Sequence, residues 1–243
     1  TFVFMIGFFV MIPVAVLACA FWPKVQLGIT AFQGFVKSAG AIGIFVFNFL
    51  ERALIPFGLH HLLYSPFYYD NVVVPGGLYA YWAKLLPQIA ASTASLKSFC
   101  PEAGFTASGF AKMFGCLGAA LVTEPIEFTF LFVAPMLFVV HAFLAATLAT
   151  TMWLAGIVGI NSGGLIEIAS LNLIPLMRNH WQQYLLELVI GLIFTAIWFV
   201  VFRFLILKFD FKTPGREDEA EIEFGSKEKF RNKQAEKGGN AGD

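Results

Sequence analysis

The stretch VTEPIEFTFLFVAPMLFVVHAFLAATLATTMWLAGIVGI, Val122 to Ile160, decides how this chain is read. From Phe128 onward it runs 33 residues without a charged side chain. About 20 apolar residues cross a bilayer, so this run exceeds one straight crossing. It reads as the second arm of a hairpin followed by a full span, interrupted by Pro135 and His141. Two carboxylates, Glu124 and Glu127, stand at its mouth. Carboxylates are costly at membrane depth and tend to be there for function. The plainer reading is that both acids only cap a helix start. Thr123 suits an N-cap, Pro125 suits a first turn, and acids there face the positive end of the helix dipole.

The rest of the composition agrees with a membrane setting. The chain has 243 residues, 58% of them hydrophobic, against about 45–50% in soluble domains. Mean hydropathy is +0.74. Residues 1–209 hold 16 charged side chains, and the last 34 residues hold the other 16. The net charge of zero therefore describes neither part and gives no basis for nucleic-acid binding. Cys19, Cys100 and Cys116 lack metal-ligand spacing, and an odd count argues against a disulfide framework. Cys19 and Cys116 are expected to be small buried hydrophobes, and Cys100 to lie in a polar loop. The chain opens Thr1-Phe2-Val3 inside an apolar run, which reads as part of a longer polypeptide.

Working outward, residues 2–22 are long enough to cross a bilayer, with Pro13 as a kink and Phe21-Trp22-Pro23-Lys24 as an interfacial end. A second crossing is expected from about Gly28 to Leu50. Ala53 to Phe67 is apolar but broken by Pro56, Gly58 and Pro66, which suggests a re-entrant segment. Such breaks tend to line a substrate site. Residues 68–112 read as loop and short helix outside the bilayer core. Phe114 to Val122 is too short to span and leads into Glu124. Leu165 to Met177 is moderately apolar, and Tyr184 to Phe209 is the clearest last span. Residues 210–243 are polar and mixed in charge, a linker or tail that cannot bury enough apolar surface to fold alone. The expectation is an all-α polytopic membrane protein with re-entrant hairpins. Its transmembrane region is residues 1–209, and its tail is placed on the cytoplasmic side by the flanking basic residues.

Candidate site residues follow from the polar groups in these broken segments. Arg52 offers forked donors that suit sugar hydroxyls or phosphate, although an arginine at a membrane interface also snorkels. His60 can hydrogen-bond a polyol or be a satisfied structural histidine. His60 and His61 point about 100° apart on a helix, so they cannot simply clamp one metal ion. No zinc, phosphate-loop or dinucleotide motif is present, and no cofactor is expected. His141 fits helix–helix hydrogen bonding. Glu167 and Glu187 read as interfacial or structural.

Two motifs then point the same way. Glu51-Arg52-Ala53-Leu54-Ile55-Pro56-Phe57-Gly58-Leu59-His60-His61 resembles the "RxLIPxGLHH" signature of the glucose-superfamily enzyme IIC membrane subunit of the bacterial sugar phosphotransferase system. Thr123-Glu124-Pro125-Ile126-Glu127-Phe128-Thr129-Phe130-Leu131-Phe132-Val133-Ala134-Pro135 resembles its "GITEP(I/L)EFTFLFVAP" signature. The stretch Leu78-Tyr79-Ala80-Tyr81-Trp82-Ala83, after His-His-Leu-Leu-Tyr-Ser-Pro-Phe, is closer to the alpha-glucoside or maltose branch than to the glucose branch. Lys212-Thr213-Pro214-Gly215-Arg216-Glu217-Asp218 looks like the family's linker into a cytoplasmic IIB domain. The chain departs from the family in Leu121-Val122, which replaces Gly-Ile, and in a shorter connection before Thr123.

The resemblance implies a multi-pass protein of the bacterial inner membrane, working as a homodimer in the lipid bilayer. It implies a glucose-containing sugar bound by Arg52, His60, His61, Thr123 and Glu124, and phosphorylated by a phosphocysteine on the IIB domain. That cysteine is not in this chain, so these residues bind substrate and none is a catalytic donor. Two alternatives stay open on the residues alone. One is an ion-coupled sugar transporter with Glu124 as proton site. The other is an intramembrane hydrolase, which lacks a nucleophile or metal constellation.

Overall fold

The structure is a computed structural model that describes residues 2–71, 73–106, 131–132, 134–161 and 165–211. All regular structure among the described residues is helical. Helix α1 runs from Phe2 to Ser38, about 55 Å at 1.5 Å per residue, and continues through both Pro13 and Pro23. Its large apolar side chains, among them Phe4, Phe8, Phe9 and Leu17, are exposed. That is the surface of a helix in lipid rather than in water. Cys19 is exposed on this helix rather than buried as expected. Together α1, Pro135–Leu154 and Ile166–Phe209 are long and apolar enough to cross a membrane.

The expected second crossing, residues 28–50, is not one helix. Gly40 takes φ +57°, a left-handed conformation costly for side-chain-bearing residues, and the chain turns there. Helix α2 then runs from Ala41 to Ala53. The turn folds α2 back on the end of α1 so tightly that a Cβ on Gly43 would collide with the Val36 carbonyl. At 13 residues, or roughly 20 Å, α2 is too short to cross the ~30 Å hydrocarbon core. A 3₁₀ turn at Ile55–Phe57 and a left-handed Gly58 separate it from α3, His60–Tyr69. The apolar segment is broken, and its break is formed by Pro56 and Gly58, as their chemistry predicts.

Between positions 68 and 106 the described residues are more helical and more buried than expected. Helix α4, Gly77–Ala90, places Leu78, Trp82 and Ile89 in the core. The short helix α5, Leu96–Phe99, and a 3₁₀ turn at Pro101–Phe105 follow. Phe47 of α2, Phe67 of α3 and Phe105 form a ring triangle with centroids 4.6, 5.2 and 5.1 Å apart. Tilted and edge-on arrangements at these spacings suit the ring quadrupoles. Cys100 belongs to this core rather than to a polar loop. Burial pushes its thiol up to about 12.

Pro135 does not interrupt the next helix but starts it. Helix α6 runs from Pro135 to Leu154, because proline is tolerated in a first turn where its missing N–H costs nothing. Its buried alanines, Ala142, Ala145, Ala146 and Ala149, let neighbouring helices approach closely. It packs against α2 and the last helix. Lys97 closes its C-terminal end, donating to the Trp153 carbonyl at 3.1 Å with its ammonium 3.5 Å above the Trp153 ring. The last helix begins with one turn at Leu165–Ile168 and a π-helical turn at Ala169–Leu173. It continues as α7 from Ile174 to Phe209, so it starts earlier than Tyr184. Near His180 the backbone leaves helical geometry. There His180 Nε2 bonds the Ile89 carbonyl at 2.8 Å, and Asn179 donates to the Ala90 carbonyl at 2.7 Å. The kink thus docks on the C-terminal carbonyls of α4, where Ile89 also accepts from the Ser92 N–H at 3.0 Å.

Candidate functional site

The motif around Arg52 and His60 sits on the two sides of the break between α2 and α3. Arg52 lies in the last turn of α2, where a cation complements the negative end of the helix dipole. It is half-buried. His60 opens α3 and is buried, while His61 beside it is exposed. The two imidazoles do not diverge as neighbours on a regular helix would. Their centroids are 4.1 Å apart at 36°. His61 Nδ1 is engaged by the Tyr64 hydroxyl, and Tyr64 in turn lies 5.0 Å from the Tyr68 ring. The motif therefore begins a ladder of rings along one side of α3. Among the described residues no cluster of His, Cys, Asp or Glu is arranged to hold a metal ion. Thr123 and Glu124 lie outside the described residues, as do Cys116 and the linker motif from Lys212 to Asp218.

His61 also forms part of the wall of a cavity of about 470 Å³ between α1 and α3. Its α1 side carries Trp22, Gln26, Thr30 and Gln33, and its α3 side includes Ser65. The sequence reading missed this face, although its signal was present. Positions 22, 26, 30 and 33 recur at helical spacing, and three of them are polar within an otherwise apolar helix.

A second polar cluster lies deeper, where the sequence suggested only interfacial or structural acids. Glu187 is buried on α7 and accepts a bond from Asn161 Nδ2 at 3.1 Å. Asn161 Oδ1 accepts from Asn172 Nδ2 at 2.8 Å, and Asn172 also donates to the Ile160 carbonyl at 2.5 Å. Asn172 belongs to the π-helical turn, whose Leu171 carbonyl accepts from the Trp82 indole at 3.0 Å. Irregular backbone of this kind survives at depth only where other groups re-satisfy it. On α6, His141 is buried with its ring 5.6 Å from the Trp198 ring of α7, so the two helices meet there ring against ring. Nothing in these bonds resembles a nucleophile with its base.

Comparison with known proteins gives this geometry a family. Residues 1–146 match the family model "Phosphotransferase system, EIIC". The chain is 48% identical over 265 residues to the PTS system alpha-glucoside-specific EIICB component of Leptotrichia buccalis, covering 97% of this chain and 50% of that protein. It is 45% identical over 262 residues to the maltose-specific EIICB component of Bacillus subtilis, covering 95% and 50%. The glucose-specific EIICBA component of Staphylococcus carnosus is 33% identical over 258 residues, covering 88% and 38%. The chain thus spans about half the length of the first two relatives. The alignment of 265 residues is longer than the chain's own 243, so the Leptotrichia protein carries segments with no counterpart here. By these matches, with both motifs in place, the chain belongs to the EIIC family of the phosphotransferase system.

Proposed function

We propose that this chain is the sugar-carrying part of a phosphotransferase-system permease that takes alpha-glucosides such as maltose. The observation that carries the reading is the gradient of identity, from 48% and 45% with alpha-glucoside- and maltose-specific relatives to 33% with a glucose-specific one. Family membership favours coupling to phosphorylation over coupling to an ion gradient. The EIICB names of the relatives support a IIB partner. The same reading expects a homodimer in the bacterial inner membrane with the tail from residue 210 on the cytoplasmic side.

In this reading the break at Pro56–Gly58 presents Arg52 and His60 to the sugar from one hairpin, and Thr123 and Glu124 face it from the other, with His61 beside them. An ionised Glu124 accepts hydroxyl bonds, and Arg52 donates them. Bonds to a charged group are the stronger kind, worth about 1.5–3 kcal/mol. The sugar's primary hydroxyl is then held toward the IIB phosphocysteine. Its oxygen attacks phosphorus, the phosphorus–sulfur bond breaks, the hydroxyl proton is released, and the cysteine leaves as thiolate. The apolar surroundings exclude water, which would otherwise compete as acceptor.

The test is uptake of radiolabelled maltose, methyl alpha-glucoside and glucose by cells carrying the full-length protein, followed by identification of the intracellular product. Sugar phosphate in the parent and its loss in Glu124→Gln is the expected result. Arg52→Ala should lower uptake roughly 10- to 100-fold, the loss of one charge-assisted bond. Unmodified sugar accumulating inside would contradict the proposal.

A further inference from the structure

We propose that Tyr64 is a positioning residue for the sugar site, its hydroxyl fixing both the orientation and the tautomer of His61. This rests on the permease reading, in which His61 lies beside the bound sugar. It extends that reading to a residue three positions beyond the motif.

Neighbouring side chains on a regular helix point about 100° apart. The imidazoles of His60 and His61 instead lie with centroids 4.1 Å apart and planes at 36°. His60 is buried and held by its surroundings, whereas His61 is exposed, so packing alone does not fix its ring. The tie is the Tyr64 hydroxyl, which meets His61 Nδ1. Residues three apart share a helix face, so Tyr64 reaches His61 without strain. Its ring centroid is 5.2 Å from that of His61 and 6.0 Å from that of His60.

The chemistry of the tie selects one tautomer. A neutral imidazole carries one N–H and one acceptor nitrogen, and its partners decide which is which. A phenol is a good donor and a poor acceptor, because its oxygen shares lone-pair density with the ring. An imidazole nitrogen is a good neutral acceptor. The Tyr64 hydroxyl therefore donates to Nδ1, and the His61 proton sits on Nε2. His61 then offers an N–H on the side of its ring away from Tyr64. The ether oxygens of a glucoside only accept, so only this tautomer can bond them there. A ring already held in place also gives up less rotamer freedom when sugar binds.

Tyr64 is itself braced. Its ring lies 5.0 Å from that of Tyr68, which is buried, and Tyr68 meets Tyr79 of α4 edge-on at 5.4 Å. Two helices thus set where the hydroxyl stands. Packing against Tyr68 needs only the Tyr64 ring, and the hydroxyl is what reaches His61.

The experiment is a double-variant cycle, read by titration calorimetry of maltose at about pH 8, above the ordinary histidine range. It compares the purified full-length protein, Tyr64→Phe, His61→Ala and the two combined. Tyr64→Phe keeps the ring and removes the tie. It should weaken maltose about three- to tenfold, the range of one neutral hydrogen bond. His61→Ala should weaken it at least as much. With His61 gone the hydroxyl has nothing to position, so the combined variant should bind within about twofold of His61→Ala alone. Losses that multiply, or either single variant binding like the parent, would overturn the proposal. Nitrogen-15 spectra of histidine-labelled protein read the tautomer itself. The His61 signals, identified by their loss in His61→Ala, should show the proton on Nε2 in the parent and a mixture in Tyr64→Phe. A tautomer unmoved by Tyr64→Phe would overturn it as well. The two proposals fail separately. If the parent makes no sugar phosphate but the cycle is non-additive and the tautomer shifts, the permease reading falls and the role of Tyr64 stands. If sugar phosphate forms and the losses multiply, the role of Tyr64 falls alone.

Discussion

Two polar regions interrupt this apolar chain, and they differ in how their hydrogen bonds are met. In the deep cluster Asn161, Asn172 and Glu187 bond to one another and to the Ile160 carbonyl, with Asn172 Oδ1 left without a partner. In the cavity beside α3, Gln33 is as buried as they are, yet neither polar atom of its side chain has a partner. A polar group satisfied inside the fold ties helices together. A polar group buried without a partner keeps its desolvation cost and joins nothing. The contrast separates polarity that ties helices together from polarity that does not.

The largest effect on stability is expected from the bonded cluster. Glu187→Ala removes the acceptor of Asn161 and leaves its amide buried, which costs about 1–3 kcal/mol. Its unfolding temperature in detergent should drop clearly, while Glu187→Gln, which keeps an acceptor oxygen, should recover most of the loss. A smaller drop is expected for Gly159→Ala. A Cβ there would stand 2.8 Å from Asn172 Oδ1, so the cluster must open slightly, at a cost toward the lower end of the ~1–3 kcal/mol of overpacking. Gln33→Leu should change unfolding temperature hardly at all or raise it, because it replaces unpartnered polar atoms with apolar ones of similar size. If Gln33→Leu destabilises as much as Glu187→Ala, the distinction between the two regions collapses.

The smallest effect concerns Cys100. Its thiol is buried and its pKa is held well above the ordinary value near 9, so it stays protonated at neutral and mildly alkaline pH. Folded protein should resist maleimide at Cys100 at pH 8 and again at pH 9, where an unfolded cysteine gains thiolate and reacts. The same linkage makes Cys100 favour the folded state below pH 9 and lose that contribution as pH rises from about 9 toward 12. Mass spectrometry after labelling, with and without denaturant, reads both points.

Much of this was legible in the sequence, for physical reasons that differ by element. Long apolar runs announced α1, α6 and α7, because only length and hydropathy are needed to recognise a span. The break at Pro56 and Gly58 was legible because both residues act locally. The boundaries were not. Gly40 ends α1 through a left-handed backbone angle that no periodicity reveals, and Pro135 starts a helix where it was read as an interruption. The burial of α4 was not legible because Tyr79, Tyr81 and Trp82, followed by Lys84 and Pro87, also suit an interfacial loop. Only packing against Leu171 and the His180 kink shows that Trp82 and Ile89 are core. Arg52 and His60 were found by motif. Glu187 was read as interfacial or structural, but neither its bond to Asn161 nor the unpartnered state of Gln33 was legible, because whether a buried polar atom has a partner depends on residues far away in the chain.

The most direct test of the account follows the phosphoryl group itself. The full-length protein would be reconstituted in vesicles with maltose, and its IIB cysteine loaded with radiolabelled phosphate. The account predicts that label leaves the protein and appears on maltose in equal amount as the sugar crosses, and that Glu124→Gln abolishes both. Maltose crossing unmodified while the protein keeps its label would contradict it.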